Sequence, residues 1–460
     1  MTLLDVTDPR PIHFVGIAGA GMSALAELFT LRGVSVTGCD AHAENGEYLR
    51  GKGIEVLQGH DPAHLDAARA VVVTSAMPRT HPELERARTL GLPIVRRAEA
   101  LGEATAQSML VGVAGTHGKS TTTVLVTEAL AAAGMNPTGY VGARVTSWGG
   151  NLRAGAADTF VVEADEYDRS FLALTPTVAV VTNLEADHLD IYSGLDDLRR
   201  TFAKYVSGAR YIVLCADDEE ANRLPTPSTA EVIRYGLHSP DARLTATNLR
   251  REGLGTHFTA VYDGKVAGDV RVAVPGLHNV LNALAALAVG LGLGATVPAM
   301  APGIAAFTGV ERRFQYLGEA RGAMVVDDYA HHPTEVRATI EAARAAAPDR
   351  RLVVAFQPHL FTRTRDFASD FADALNGADE VFLLDIYPAR EQPIAGVTSA
   401  LIADVMSASG RAPAWRGTQA DTAPALASAV RANDLVVTMG AGDITRSGHA
   451  LLALLNEGSA

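Results

Sequence analysis

This sequence predicts an α/β protein built from three parallel-sheet units in series, on three observations. Short apolar runs alternate with helical patterns through the first hundred residues. The same alternation restarts near Ser108 and again after Arg313, and glycine-rich or polar strings sit just beyond many of the apolar runs. Strand–helix–strand alternation builds a parallel sheet with helices on both faces. The 460 residues fit about three domains at ~150 residues each.

In chain order, Ile12 to Ile17 reads as a strand, Met22 to Arg32 as a helix, and Val34 to Gly38 and Val71 to Thr74 as further strands. The second unit opens with a strand from Met109 to Ala114 and a helix from Ser120 to Ala133. Strands of fully buried type follow at Thr159–Glu163, Val178–Thr182 and Tyr211–Leu214. Residues 243–274 alternate around Gly253, Gly255 and Gly264, as a small antiparallel insertion does. Asn279 to Gly292 is a strong helix pattern. Beyond Arg313, strands are expected at Met324–Asp327, Leu352–Phe356, Glu380–Ile386 and Leu435–Met439. The boundaries fall near residues 106 and 313.

Composition narrows the function classes. Hydrophobic residues make up 48% and charged residues 20%, which excludes a wholly disordered or coiled-coil chain. A net charge of -13 repels phosphate backbones, so no nucleic-acid partner is expected, while a local pocket for one nucleotide stays open. Cys39 and Cys215 are the only cysteines and show no metal-ligand spacing, which argues against a disulfide framework or a zinc finger. The N-terminus has no basic start followed by an apolar core, and the apolar run Val280–Leu293 is too short to span a bilayer. The expectation is a cytoplasmic protein without a membrane span.

Two loops carry the nucleotide chemistry. Gly16-Ile-Ala-Gly19-Ala-Gly21 lies between the first strand and the first helix, where glycines let the backbone approach a pyrophosphate at a helix N-terminus. Asp40 ends the second strand, where a carboxylate accepts a ribose hydroxyl. The spacing G-x-x-G-x-G is not the dinucleotide pattern, and tight packing alone is the plainer alternative. The second loop, Gly115-Thr116-His117-Gly118-Lys119-Ser120-Thr121-Thr122, is more specific. Its amides cradle phosphates, the lysine reaches the terminal phosphates and the following hydroxyl ligates magnesium. Val113 occupies the first glycine position of the strict motif, so the loop is a shortened variant.

Hard oxygen ligands are expected near that loop. Glu163 ends an apolar strand and opens the run Glu163-Ala-Asp165-Glu166-Tyr-Asp168; it is the ligand candidate, with a solvated turn as the alternative. His188, in Thr182-Asn-Leu-Glu-Ala-Asp-His188, follows another strand and is a second ligand candidate. Asn279 and Asn282 lie three apart on one helix face, suited to an adenine edge, although a helix cap explains Asn279 almost as well. Arg312-Arg313-Phe314, Asp327-Asp328-Tyr-Ala-His331-His332, Gln357-Pro-His359, Thr362-Arg363-Thr364-Arg365 and Gly440-Ala-Gly-Asp443 cluster at strand ends or boundaries, where open α/β sheets bind ligands.

Together these strings resemble the Mur ligase family. The similarity rests on HFVGIAGAGMS from His13, GTHGKSTT, EADEYD, TNLEADHLD, HNVLNALAA, ERRF, DDYAHHPTEV, FQPH and MGAGD, and runs from residue 11 to about 446. The resemblance implies a Rossmann-like UDP-sugar domain at 1–106, a central P-loop ATPase-type domain at 107–312, and a Rossmann-like C-terminal domain at 313–460 that helps bind ATP and the amino acid. The implied reaction is ATP-dependent ligation of L-alanine to the lactyl carboxylate of UDP-N-acetylmuramate, with two magnesium ions, in a monomer or weak homodimer.

By the same resemblance, Lys119 meets the β/γ-phosphates within the ATP loop Gly115–Thr121. Ser120 and Glu163 hold one magnesium, and Glu163 and His188 the other. Asn279 and Asn282 meet the adenine or position the nucleotide, and Arg313 and Asp328 reach the ATP. Gly19, Gly21, Met22, Asp40, Ser75 and Arg97 line the sugar-nucleotide site, and His331 with Arg363 or Arg365 forms the alanine pocket. An NAD(P)-dependent dehydrogenase accounts for the first hundred residues only. The closer rival is a ligase that attaches a recycled tripeptide to the same UDP sugar, from which the IAGAGMS loop differs.

Overall fold

The computed structural model describes residues 2–74, 77–187 and 191–457. Its strands form three sheets. The first holds β1 (Ile12–Val15), β2 (Val36–Asp40), β3 (Glu55–Gln58), β4 (Ala70–Val73) and β5 (Ile94–Arg96), in the order β3-β2-β1-β4-β5. All four pairings are parallel. β1 and β4 are buried along their whole length because helices cover both faces, which is why they read as unbroken apolar runs. The order reverses direction between β1 and β4, so the crevice for a ligand opens beyond the carboxyl ends of those strands.

The central sheet has ten strands: β6 (Met109–Ala114), β7 (Pro137–Val145), β8 (Gly150–Arg153), β9 (Ala156–Glu163), β10 (Val178–Val181), β11 (Tyr211–Cys215), β12 (Glu231–Tyr235), β13 (Leu244–Glu252), β14 (Gly255–Tyr262) and β15 (Lys265–Val272). They run in the order β15-β14-β13-β12-β11-β10-β6-β9-β7-β8. β6 sits between β10 and β9, parallel to both, so the loops after these three strands emerge side by side. β13 to β15 are the expected insertion, but they extend the sheet beyond β12 rather than standing apart. Asp263 and Gly264 both take positive φ in the β14–β15 turn, as a two-residue hairpin turn requires.

The third sheet holds β16 (Gln315–Ala320), β17 (Ala323–Asp328), β18 (Arg351–Phe356), β19 (Glu380–Leu384), β20 (Trp415–Gly417) and β21 (Asp434–Met439), in the order β16-β17-β21-β18-β19-β20. Apolar clusters cover both of its faces, one around Phe356, Phe371 and Leu375 and the other around Phe382, Leu426 and Leu451.

Three sequence expectations are corrected. The second strand begins at Val36 instead of Val34, because the Val34 amide donates to Phe29 O and closes the preceding helix. That helix starts at Ala20 rather than Met22. The β7–β8 hairpin and the antiparallel edge strand β16 were not expected from the sequence. The three sheets are grouped by their packing into two compact units. One comprises Met1–Leu249, His257–Arg271 and Leu281–Phe307, and the other Arg250–Thr256, Val272–Val280 and Thr308–Ala460. The first and central sheets share one of these units: the helix Ala20–Leu31 packs on β7 and β8, and one apolar core runs from Phe14 and Phe29 to Phe160 and Phe171.

Candidate active site

The phosphate loop follows β6 and leads into the helix Lys119–Ala132, whose first-turn amides have no carbonyl within the helix to bond. Gly115 (φ 135°) and Gly118 (φ 80°) take conformations that side chains rarely adopt, and a Cβ on Gly115 would lie 2.0 Å from Thr182 Oγ1. The segment after β10 clamps this loop. The His117 amide donates to Asn183 Oδ1 (2.7 Å), Thr182 Oγ1 donates to His117 O (2.6 Å), and the Glu185 amide donates to Thr116 Oγ1 (2.9 Å). The TNLE string is therefore part of the loop's scaffold.

Lys119 Nζ donates to Gly115 O (2.7 Å) and Thr116 O (3.1 Å) and pairs with Glu166 at 2.9 Å. Burial pulls the ammonium's pKa down, but Glu166, Asp165 and Glu163 outweigh it and raise the value. Burial pushes the Glu166 carboxyl up to about 7 against the pull of Lys119. Glu166 was read only as part of an acidic run; its place three residues past the strand end was the signal available.

Ser120 Oγ donates to Glu163 Oε1 (2.9 Å), and the Gly142 amide donates to Glu163 Oε2 (2.7 Å). A hydroxyl and a carboxylate meeting beside a phosphate loop are the hard oxygen donors that magnesium prefers, so the residues present fit that ion. His188 and Ser75 lie outside the described residues. Asn282 Oδ1 accepts from Thr122 Oγ1 (3.1 Å), and a Cβ on Gly118 would come within 2.8 Å of it, so Asn282 abuts the loop. Asn279 Nδ2 donates to Pro275 O (2.7 Å), ordering the entrance to its own helix.

In the first sheet, Asp40 Oδ2 accepts the Ala18 amide (3.0 Å) and Oδ1 the His42 amide (2.9 Å). The carboxylate thus shapes the glycine loop, a role that expecting a ribose contact had not anticipated. Arg97 lies against Gly21: a Cβ there would meet its guanidinium at 3.0 Å. Tyr140, on β7, donates to Gly21 O (2.5 Å) and accepts from Arg97 Nη1 (3.3 Å). Tyr140 was missed because nothing in its strand signals a loop 119 residues earlier in the chain. Gly19 caps the helix that holds Met22, whose side chain is buried.

In the C-terminal unit the polar strand ends meet. Arg312 donates to Asp327 Oδ2 (3.2 Å) and Gly440 O (2.5 Å), and Gln357 Nε2 donates to Asp443 Oδ1 (2.8 Å). Asp328 accepts the amides of Phe314 and Ala330, both at 2.7 Å, and burial pushes its carboxyl up to about 6. Arg313 stacks over Tyr329 and pairs with Glu335 (3.4 Å). The His331 amide donates to Glu335 Oε2 (3.0 Å), and its ring lies 5.6 Å from that of His359, to which Arg363 Nη1 approaches within 3.4 Å. Arg365 does not join this group; it is exposed and pairs with the adjacent Asp366 at 2.7 Å.

A nucleotide-type glycine loop, a phosphate loop with its lysine and hard-oxygen pair, and a third sheet with converging polar ends define an ATP-dependent ligase. The chain belongs to the Mur ligase family: residues 11–109 match the Mur ligase family catalytic domain, 113–290 the Mur ligase middle domain, and 312–442 the Mur ligase glutamate ligase domain. It is 42% identical, over 98% of its length and 96% of the relative's, to UDP-N-acetylmuramate–L-alanine ligase of Salinibacter ruber. It is 48% identical, over 87% of its length and 86% of the relative's, to the enzyme of that name from an Arthrobacter species. Among solved structures it is similar to UDP-N-acetylmuramate-alanine ligase of Thermotoga maritima, with a TM-score of 0.83 and 29% identity over 97% of this chain and 99% of that one. A murein peptide ligase of Psychrobacter arcticus gives 0.71 and 25% over 97% and 98%. No helix among the described residues is long and apolar enough to cross a membrane.

Proposed function

We propose that the protein joins L-alanine to the lactyl carboxylate of UDP-N-acetylmuramate at the expense of ATP. The observation that carries this reading is near-full-length similarity at 42–48% identity to relatives bearing that activity in their names, on a chain whose loop brings Lys119, Ser120 and Glu163 together. A carboxylate is a poor acyl donor, so its oxygen first takes the γ-phosphoryl group, releasing ADP. The alanine amine, arriving unprotonated, attacks the acyl carbon, and the tetrahedral intermediate expels inorganic phosphate.

Lys119 and the amides of Gly115–Thr121 hold the phosphates and align the γ-phosphorus with the carboxylate. Ser120 and Glu163 hold one magnesium, with Glu163 and His188 serving a second; the ions neutralise charge on the transferred group when bound. Asn282 and Asn279 position the adenosine, and Arg313 and Asp328 complete the ATP site. Gly19, Gly21, Met22, Asp40, Ser75 and Arg97 hold the UDP sugar, and His331 and Arg363 the alanine. The greater structural likeness to the alanine ligase than to the murein peptide ligase favours the single amino acid over a recycled tripeptide.

Phosphate release with UDP-N-acetylmuramate, ATP and magnesium, measured across a panel of amino acids and L-Ala-D-Glu-diaminopimelate, tests the proposal. L-Alanine gives the highest turnover, with glycine and L-serine weaker; equal or better turnover with the tripeptide transfers the chain to the recycling activity.

A further inference from the structure

The N-terminal sheet buries a second, unrelated concentration of metal-binding side chains. Glu83 is fully buried and gathers side chains from four parts of the chain. Cys39 Sγ, on β2, lies 3.1 Å from both of its oxygens; His64 Nδ1 is 2.9 Å from Oε1, and His13 Nε2, on β1, is 3.9 Å from Oε1. His60 and His81 approach the other oxygen at 3.4 and 3.9 Å. The donor atoms of His13, Cys39, His64 and Glu83 all lie within 4.8 Å of one another.

We propose that His13 Nε2, Cys39 Sγ, His64 Nδ1 and the Glu83 carboxylate form a closed four-ligand site for a zinc-class divalent cation. The spacing suits one ion: four donors at ~2.0–2.3 Å from a tetrahedral centre stand about 3.3–3.8 Å apart. His13 supplies an independent sign. Its Nδ1 is 3.0 Å from Thr37 Oγ1, while Nε2 is sealed from solvent and has no hydrogen-bond partner although it faces the Glu83 carboxylate. A cation there gives His13 Nε2 the partner it lacks, and the Thr37 contact is the kind of outer hydrogen bond that orients a ligating imidazole.

Charge balance points the same way. A thiolate and a carboxylate cancel a divalent ion, leaving a neutral buried centre. Softness selects the ion, because sulfur and imidazole ligands favour zinc over magnesium. The absence of a local ligand motif around Cys39 had argued against zinc, but these ligands come from two strands, the short 3-10 helix Pro62–Leu65 and the α-helix Pro82–Leu90, which no linear spacing reveals.

The site stands one residue from the nucleotide loop. Cys39 O accepts the amides of Gly16 and Ile17, and Asp40 next to it accepts that of Ala18. The cation therefore pins β1, β2, the segment 60–64 and the helix Pro82–Leu90 where the glycine loop begins.

Full-length protein, stripped by chelator and kept in excess magnesium, is titrated with Zn2+ against a chromogenic chelator and with Co2+ by absorption. One equivalent binds, and cobalt gives a thiolate-to-metal charge-transfer band. Cys39→Ser abolishes the band and weakens Zn2+ binding at least tenfold; His64→Gln, at the rim, weakens it comparably should the cysteine variant not fold; Glu163→Gln leaves the band intact. The absence of stoichiometric Zn2+ binding, or a band that survives Cys39→Ser, overturns the site and reduces the cluster to a hydrogen-bonded network around Glu83.

Discussion

Lys119 Nζ lies 2.9 Å from Glu166 Oε2, so the lysine of the phosphate loop is ion-paired in the interior. Burial raises Glu166 from 4.5 to about 7. A carboxyl raised on folding binds its proton more tightly in the folded chain, so its contribution to stability is greatest below about 4.5 and declines as pH rises through about 7. Thermal midpoints recorded from pH 4.5 to 7.5 should therefore fall more steeply for wild type than for Glu166→Gln. Parallel curves would remove Glu166 as a titrating group in that window.

Glu163 accepts both the Ser120 hydroxyl and the Gly142 amide, and is proposed to serve both magnesium ions. Losing a shared ligand should cost more than losing a single one. Glu163→Ala is expected to lower acyl-phosphate formation by at least ~10²-fold, whereas His188→Ala slows it less and leaves ATP binding nearly intact. Borohydride trapping without alanine isolates this step. Wild-type yield of the trapped alcohol from Glu163→Ala would remove Glu163 as a shared magnesium ligand.

Strand–helix alternation made all three sheets legible, because parallel strands buried on both faces, such as Val178–Val181, are continuous apolar runs. The phosphate loop was legible for a different reason: Gly115, Gly118, Lys119 and Ser120 are adjacent in sequence. Contacts between distant segments were not. Tyr140 reaches Gly21 across 119 residues, and Arg312 reaches Gly440 across 128. Neither has a periodicity or a spacing that marks its destination. Asp40 was placed correctly at its strand end, yet which of its possible donors it would meet depended on the loop's path, and that path turns the Ala18 amide onto it.

Tyr140 ties the glycine loop to Arg97 through one hydroxyl. Tyr140→Phe removes that link with little change in volume. If Arg97 holds the sugar nucleotide, KM for UDP-N-acetylmuramate should rise about tenfold, the scale of one charge-assisted hydrogen bond, with KM for ATP unchanged. An equal rise in both KM values would mean that the hydroxyl supports the fold in general.

Two arginines in one short helix, Arg363 and Arg365, were candidates for the amino-acid carboxylate, and their surroundings separate them. Arg363 is buried, 3.4 Å from His359, whose ring stacks on Tyr387 and faces His331. Arg365 is half exposed, and its guanidinium is occupied by Asp366 at 2.7 and 3.1 Å. A surface pair of this kind contributes little, so Arg365→Ala should leave stability nearly unchanged and KM for L-alanine within twofold of wild type. Arg363→Lys keeps the charge but loses the planar fork that matches a carboxylate. It is expected to raise KM for L-alanine at least tenfold while acyl-phosphate trapping without alanine proceeds at the wild-type rate. That split matters, because a merely structural arginine would depress both steps together. A tenfold rise in KM from Arg365→Ala, with Arg363→Lys unaffected, would reverse the assignment and place the carboxylate on the outer face of the helix.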